Sequence, residues 1–110
     1  IQAAGSIASA ISRARRIDPN ARVEVEVENL DELSEAIAAK PDWIMVDNFS
    51  IDDLRTAHDL CNNTDIRLEA SGGIEDAEDL KAIAATGIDY ISIGALTKHC
   101  KAIDLSMRFD

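Results

Sequence analysis

The 110-residue chain carries 21 acidic against 11 basic side chains, and its formal net charge of −10 argues against a binder of nucleic-acid backbones. With 46% hydrophobic residues and few aromatics it can bury one modest core, and no apolar run is long enough to span a bilayer. Neither nucleic acid nor membrane is expected as a partner, and the opening "IQAAGSIASA" lacks the features of a secretory signal, so a cytoplasmic location is expected.

Helix-like and strand-like stretches take turns along the chain. Ile7, Ala10, Ile11 and Ala14 share a helical face that ends at the breaker "DPN", and the strand-like "RVEVEV" follows from Arg22. Leu30, Leu33, Ala36 and Ile37 form the next helical stripe, with Asn29 or Asp31 as cap and Pro41 as terminator. The second strand is "WIMVD" from Trp43. Ser50 then caps a helix whose stripe is Ile51, Leu54, Ala57 and Cys61, and "RLEAS" from Arg67 is the third strand. Ala77, Leu80, Ile83 and Ala84 make the last stripe, Gly87 suits the C-terminal cap, and "YISIG" from Tyr90 is the fourth strand. Cys61 and Cys100 stand alone, outside any C-x-x-C spacing, and read as buried apolar residues or free thiols.

Strand starts at 22, 43, 67 and 90, each pair separated by one helix, imply successive right-handed βα units in a parallel sheet. The expected fold class is α/β. Strands covered on both faces should be almost continuously apolar, yet these alternate. Val23, Val25 and Val27 oppose Glu24, Glu26 and Glu28; Ile44 and Val46 oppose Met45 and Asp47; Leu68 and Ala70 oppose Glu69 and Ser71. If the apolar set faces the helices, the polar set lines a barrel axis or a crevice. Glu26, Asp47 and Glu69 then need metal, bases or a polar ligand, because an unpartnered buried carboxylate costs several kcal/mol. The alternative for "VEVEV" alone is an edge strand with its glutamates in water.

Active sites of α/β barrels and open sheets lie at the C-terminal ends of strands, where Glu26, Glu28, Asp47, Ser71 and Gly94 fall. "ASGGIEDAEDL" reads as a strand end, a tight turn at Gly72 and Gly73, and a helix start whose backbone N–H groups can bind phosphate. Glu75 and Asp76 read as solvent-facing capping charges. "SIGALT" is a second glycine turn one unit later, the placement of phosphate loops in β/α barrels. Four βα units are about half of a barrel of roughly 250 residues, so a C-terminal portion of a β/α-barrel-like domain is expected.

The stretches "AAGSI", "VEVENLDEL", "IMVDNFS", "LEASGGI", "TGIDYISIGALTKH" and "AIDLSMRF" together resemble the C-terminal part of the quinolinate phosphoribosyltransferase family, the carboxylating nicotinate-nucleotide diphosphorylases. The resemblance runs nearly end to end. It implies that an N-terminal α/β sandwich domain and the first part of the barrel lie outside residues 1–110. It also implies Mg²⁺-dependent transfer of phosphoribose from phosphoribosyl pyrophosphate to quinolinate, with decarboxylation, in a homodimer or higher homo-oligomer. Glu26 and Asp47 would be the catalytic and metal-binding carboxylates. Ser71, Gly72, Gly73, Gly94 and Ala95 would hold the 5′-phosphate, with Lys98 as its cationic partner. Glu69 is either a site residue or the anchor of a basic side chain, and His99 stands next to the position where some family members carry histidine. Bases for the anionic acceptor would come from upstream and from a partner subunit, since Arg13, Arg15 and Arg16 read as solvated helix residues. Two other readings stand beside this one. A different phosphate-binding barrel enzyme, such as an aldolase, would need a Schiff-base lysine that none of the four strands carries. A non-catalytic half-barrel would only associate.

Overall fold

In the computed structural model, residues 4–72, 74–93 and 96–100 are described. The chain forms α1 (Ala4–Ile17), β1 (Glu24–Val27), α2 (Leu30–Ala38), β2 (Trp43–Asp47), α3 (Ile51–Cys61), β3 (Arg67–Ser71), α4 (Ala77–Ala84), β4 (Tyr90–Ile93) and β5 (Leu96–His99). One sheet holds the strands in chain order, β1-β2-β3-β4-β5, and the first four are parallel. The alternation of strands and helices read from the sequence is therefore present.

β5 was not foreseen. It pairs antiparallel with β4, setting Tyr90 opposite His99, Ile91 opposite Lys98 and Ser92 opposite Thr97. Lys98 thus sits on a strand. A strand of four residues directly after a glycine turn is too short to announce itself by periodicity.

Helices α2, α3 and α4 each begin where a side chain can take over an orphan amide. Asn29 accepts from the Glu32 N–H at 2.9 Å, while Glu32 reaches back to the Glu28 N–H at 2.8 Å. Asp76 and Asp79 repeat the device for α4, accepting from the Asp79 and Glu75 N–H groups. Ser50 caps α3 through the Asp53 N–H at 3.1 Å. Such reciprocal caps satisfy two donors at once, and each cap is worth about 1 kcal/mol.

The apolar strand face packs beneath the helices. Val27, Ile44, Val46, Leu68, Ala70 and Ile91 meet Leu33 and Ala36 of α2, Leu54, Ala57 and Cys61 of α3, and Leu80 and Ile83 of α4. Burying a side chain such as Leu33 or Ile44 fully stabilises by about 1.5–3 kcal/mol. α1 is less committed: of its predicted stripe only Ile11 is buried, and Ala10 is exposed. A cleft of about 340 Å³ beside β1, lined by Ile7, Ala10, Ile11 and Glu26 among others, keeps that face open. Arg15 departs from the solvated reading, since its guanidinium donates to the Lys40 carbonyl at 2.9 Å and pairs with Asp42 at 3.4 Å.

Candidate active site

The opposite face of the sheet carries three rows of side chains fixed by the register. Glu24, Trp43 and Arg67 form the first row; Glu26, Met45, Glu69, Tyr90 and His99 the second. Asp47 and Ser71 lie at the C-terminal end, level with the Ser92 and Thr97 pair. Strand alternation alone brings these residues together from five segments.

At that end, β2 and β3 finish side by side and their turns interlock. The Ser71 hydroxyl donates to Asp47 Oδ1 at 3.2 Å, and the Asn48 N–H donates to the Ser71 carbonyl at 2.7 Å. Asn48 and Gly72 both take left-handed backbone conformations, with φ of 59° and 80°. A Cβ at Gly72 would lie 3.2 Å from Asp47 Oδ1 and 3.3 Å from the Asn48 nitrogen, so glycine is required both by φ and by space. Ser71 spends its one proton on Asp47, an acceptor-only group when ionised. To donate to a phosphate, the hydroxyl must rotate away from Asp47. The Asp76 side chain is the cap of α4, and Glu75 lends its backbone N–H to Asp79; both residues are exposed.

Glu69 is buried, only 3% exposed, and its partners differ from those expected. Oε1 accepts from the Trp43 indole N–H at 2.9 Å, and Oε2 accepts from the Ser92 hydroxyl and from the Thr97 hydroxyl at 3.2 Å. Among the described residues no base pairs with it; three neutral donors satisfy the carboxylate instead. Around this network Tyr90 stacks on Trp43 with centroids 4.3 Å apart, and His99 meets the Tyr90 ring edge-on at 4.9 Å. Arg22 lies over the Trp43 ring, its guanidinium carbon 4.3 Å from the centroid. Trp43, Ser92 and Thr97 were not singled out as site residues, because partners about 26 residues apart leave no local pattern.

Glu26 lies on the same face as Asp47, on the neighbouring strand and one diagonal step away, since its register partner is Met45. Among the strands of this chain β1 lies at one border of the sheet, and both Glu24 and Glu26 are exposed there. Glu24 is held by Arg22 at 3.3 Å, whereas Glu26 has no hydrogen bond or ion pair among the described residues. Lys98 sits opposite Ile91 and is exposed, on the face away from Glu69 and Asp47. Gly73, Gly94 and Ala95, expected in the phosphate site, lie outside the described residues.

Among the described residues no group of three or more His, Cys, Asp or Glu side chains is arranged to hold a metal ion. Glu26 and Asp47 stand on one face of the sheet, and among the described residues no basic side chain pairs with either. The two thiols are free, Cys61 buried and Cys100 half-buried. Burial, and secondarily the charge of Asp89, push both Cys61 and Cys100 up to about 11. No helix among the described residues is long and apolar enough to cross a membrane.

The family model described as "Quinolinate phosphoribosyl transferase, C-terminal domain" matches residues 1–108. A probable nicotinate-nucleotide pyrophosphorylase [carboxylating] from Synechocystis is 44% identical, over 98% of this chain and 37% of its own length. Its counterpart from Bacillus subtilis is also 44% identical, over 97% of this chain and 37% of its own length. The solved nicotinate-nucleotide pyrophosphorylase of Francisella tularensis superposes with a TM-score of 0.74 at 52% identity, covering 89% of this chain and 35% of that one. The chain thus spans little more than a third of each of these relatives, and it belongs to the quinolinate phosphoribosyl transferase family, within the part that the family model describes as the C-terminal domain.

Proposed function

We propose that this chain supplies the carboxylates and the phosphate turn for phosphoribosyl transfer from phosphoribosyl pyrophosphate to quinolinate. The products are nicotinate mononucleotide, pyrophosphate and carbon dioxide, in NAD biosynthesis. The observation that carries the reading is the interlocked end of β2 and β3, where Asp47, Asn48, Ser71 and Gly72 meet. In the reaction the C1′–oxygen bond breaks with its electrons passing to pyrophosphate, and the pyridine nitrogen bonds to C1′. The 2-carboxylate leaves as carbon dioxide, and the electron pair it leaves behind is protonated at ring C2.

Positive charge grows on the ribose as that bond breaks. Carboxylates placed on the sheet face can stabilise it, Asp47 being held in position by the Ser71 hydroxyl. Glu26 and Asp47 are assigned to the ribose hydroxyls and, with substrate oxygens, to one Mg²⁺. When bound, the ion would neutralise charge on the departing pyrophosphate. Ser71 and Gly72 are assigned to the 5′-phosphate together with Gly73, Gly94 and Ala95. The exposed glycine turn leaves room for a phosphate to approach the backbone.

Both substrates are anions, and the C-terminal row offers acids and hydroxyls. We therefore assign the bases for quinolinate to parts of the complete enzyme outside this chain, and we expect the 110 residues alone to bind the donor without turnover. A cytoplasmic homodimer of the complete enzyme is proposed on the family resemblance. The test is calorimetric titration of the folded chain with Mg²⁺ and phosphoribosyl pyrophosphate, repeated with quinolinate. Donor binding without quinolinate supports the assignment, and a folded chain that binds no donor refutes it.

A further inference from the structure

Glu69 is the most buried charged side chain among the described residues, yet none of the steps above uses it. Its three partners come from three strands: Trp43 from β2, Ser92 from β4 and Thr97 from β5. An ionised carboxylate only accepts, so each hydroxyl must point its single proton at Glu69. Both oxygens are left with lone pairs and no proton for any other group. Ser92 and Thr97 are a register pair, level with the Asp47 and Ser71 pair at the C-terminal end of the face.

We propose that Glu69 is a positioning residue that fixes Ser92 and Thr97 as a pair of hydrogen-bond acceptors for the sugar hydroxyls of the phosphoribosyl donor. The proposal rests on the function assigned above and adds a selectivity to it. A hydroxyl pair whose protons are both committed to Glu69 favours a ligand bearing O–H donors and offers nothing to a bare phosphate oxygen. Discrimination of this kind is built by arranging which partner is left unpaired. Trp43 locks the other carboxylate oxygen, so the group has no free rotation to turn away. The network also ties β5 to β3, across the intervening β4.

Glu69→Gln tests this with little change of volume. Its amide oxygen can keep the indole N–H of Trp43, while its NH₂ faces the hydroxyls as a donor and reverses their sense. The dissociation constants of phosphoribosyl pyrophosphate and of inorganic pyrophosphate are compared by calorimetry in Mg²⁺, for wild type, Glu69→Gln and Thr97→Val. Both variants should weaken the ribose-bearing ligand by about tenfold and leave pyrophosphate within about twofold. Trp43 is the sole tryptophan, so its indole N–H resonance reports the network without any ligand. It should be protected from exchange in wild type and in Glu69→Gln. Wild-type binding of the donor with an unchanged affinity ratio in both variants overturns the role of Glu69 alone, as does a rapidly exchanging wild-type indole. Failure of the wild-type chain to bind the donor overturns the proposed function, and the selectivity with it.

Discussion

Replacing Gly72 by alanine adds one methyl group at a place where two costs combine. The residue has φ of 80°, a left-handed conformation that costs an L residue about 1–2 kcal/mol. The new Cβ would stand 3.2 Å from Asp47 Oδ1, 3.3 Å from the Asn48 nitrogen and 3.4 Å from its Cα. Two of those three atoms are backbone and cannot swing aside. Alanine also restricts the unfolded chain and returns about 0.4–1 kcal/mol, so with the crowding included the net loss should be about 1 kcal/mol. For a domain of this size that is a fall in Tm of roughly 4–8 °C. Thermal unfolding by circular dichroism measures it. Valine, branched at the crowded carbon, should cost more than alanine and weaken phosphoribosyl pyrophosphate binding further, because it pushes on the carboxylate that Ser71 holds. A Gly72→Ala chain that melts within about 1 °C of wild type and binds the donor unchanged would refute the argument.

Asp47→Asn keeps an oxygen for the Ser71 hydroxyl, so the fold should survive while Mg²⁺-dependent donor binding falls by tenfold or more; equal affinity with and without the charge would remove Asp47 from the metal site. Asn29→Ala should lower stability by about 1 kcal/mol through loss of the α2 cap, and an unchanged denaturation midpoint would show that Glu32 alone satisfies the helix start. Both thiols should react slowly with a thiol reagent at pH 8 and faster toward pH 11, since burial keeps them protonated. Their contribution to stability is complete below the unfolded thiol value of about 8.5 and is lost as pH rises through about 11. Unfolding midpoints that do not fall between pH 8 and pH 11 would contradict it.

The alternation of Val25 with Glu26, or Leu68 with Glu69, made both faces of the sheet legible, because the period of a strand is written into neighbouring residues. Asn29 and Ser50 were recognisable as caps for the same reason: a cap acts within three residues of itself. Pairings across the sheet leave no such trace. That Glu69 would be satisfied by an indole and two hydroxyls, and not by a base, depends on which strands lie beside β3 and on what β5 brings back. Trp43 read only as the start of the second strand, although its indole nitrogen is a donor that must find a partner when buried. β5 was hidden because "LTKH" contains neither a repeat nor a breaker of its own. Ala10 was misjudged since a helix at the border of a sheet has less to cover than its stripe offers.

The order of strands in the sheet repeats their order along the chain, so each parallel ladder joins segments only about twenty residues apart, and the antiparallel one joins segments closer still. Within residues 24–93 such an arrangement can grow by accretion, each βα unit docking on the one made just before it. A nascent chain could add these units as they emerge, and removing a unit from one border would leave the register of the others untouched. The architecture is thus tolerant of being built, and divided, one unit at a time.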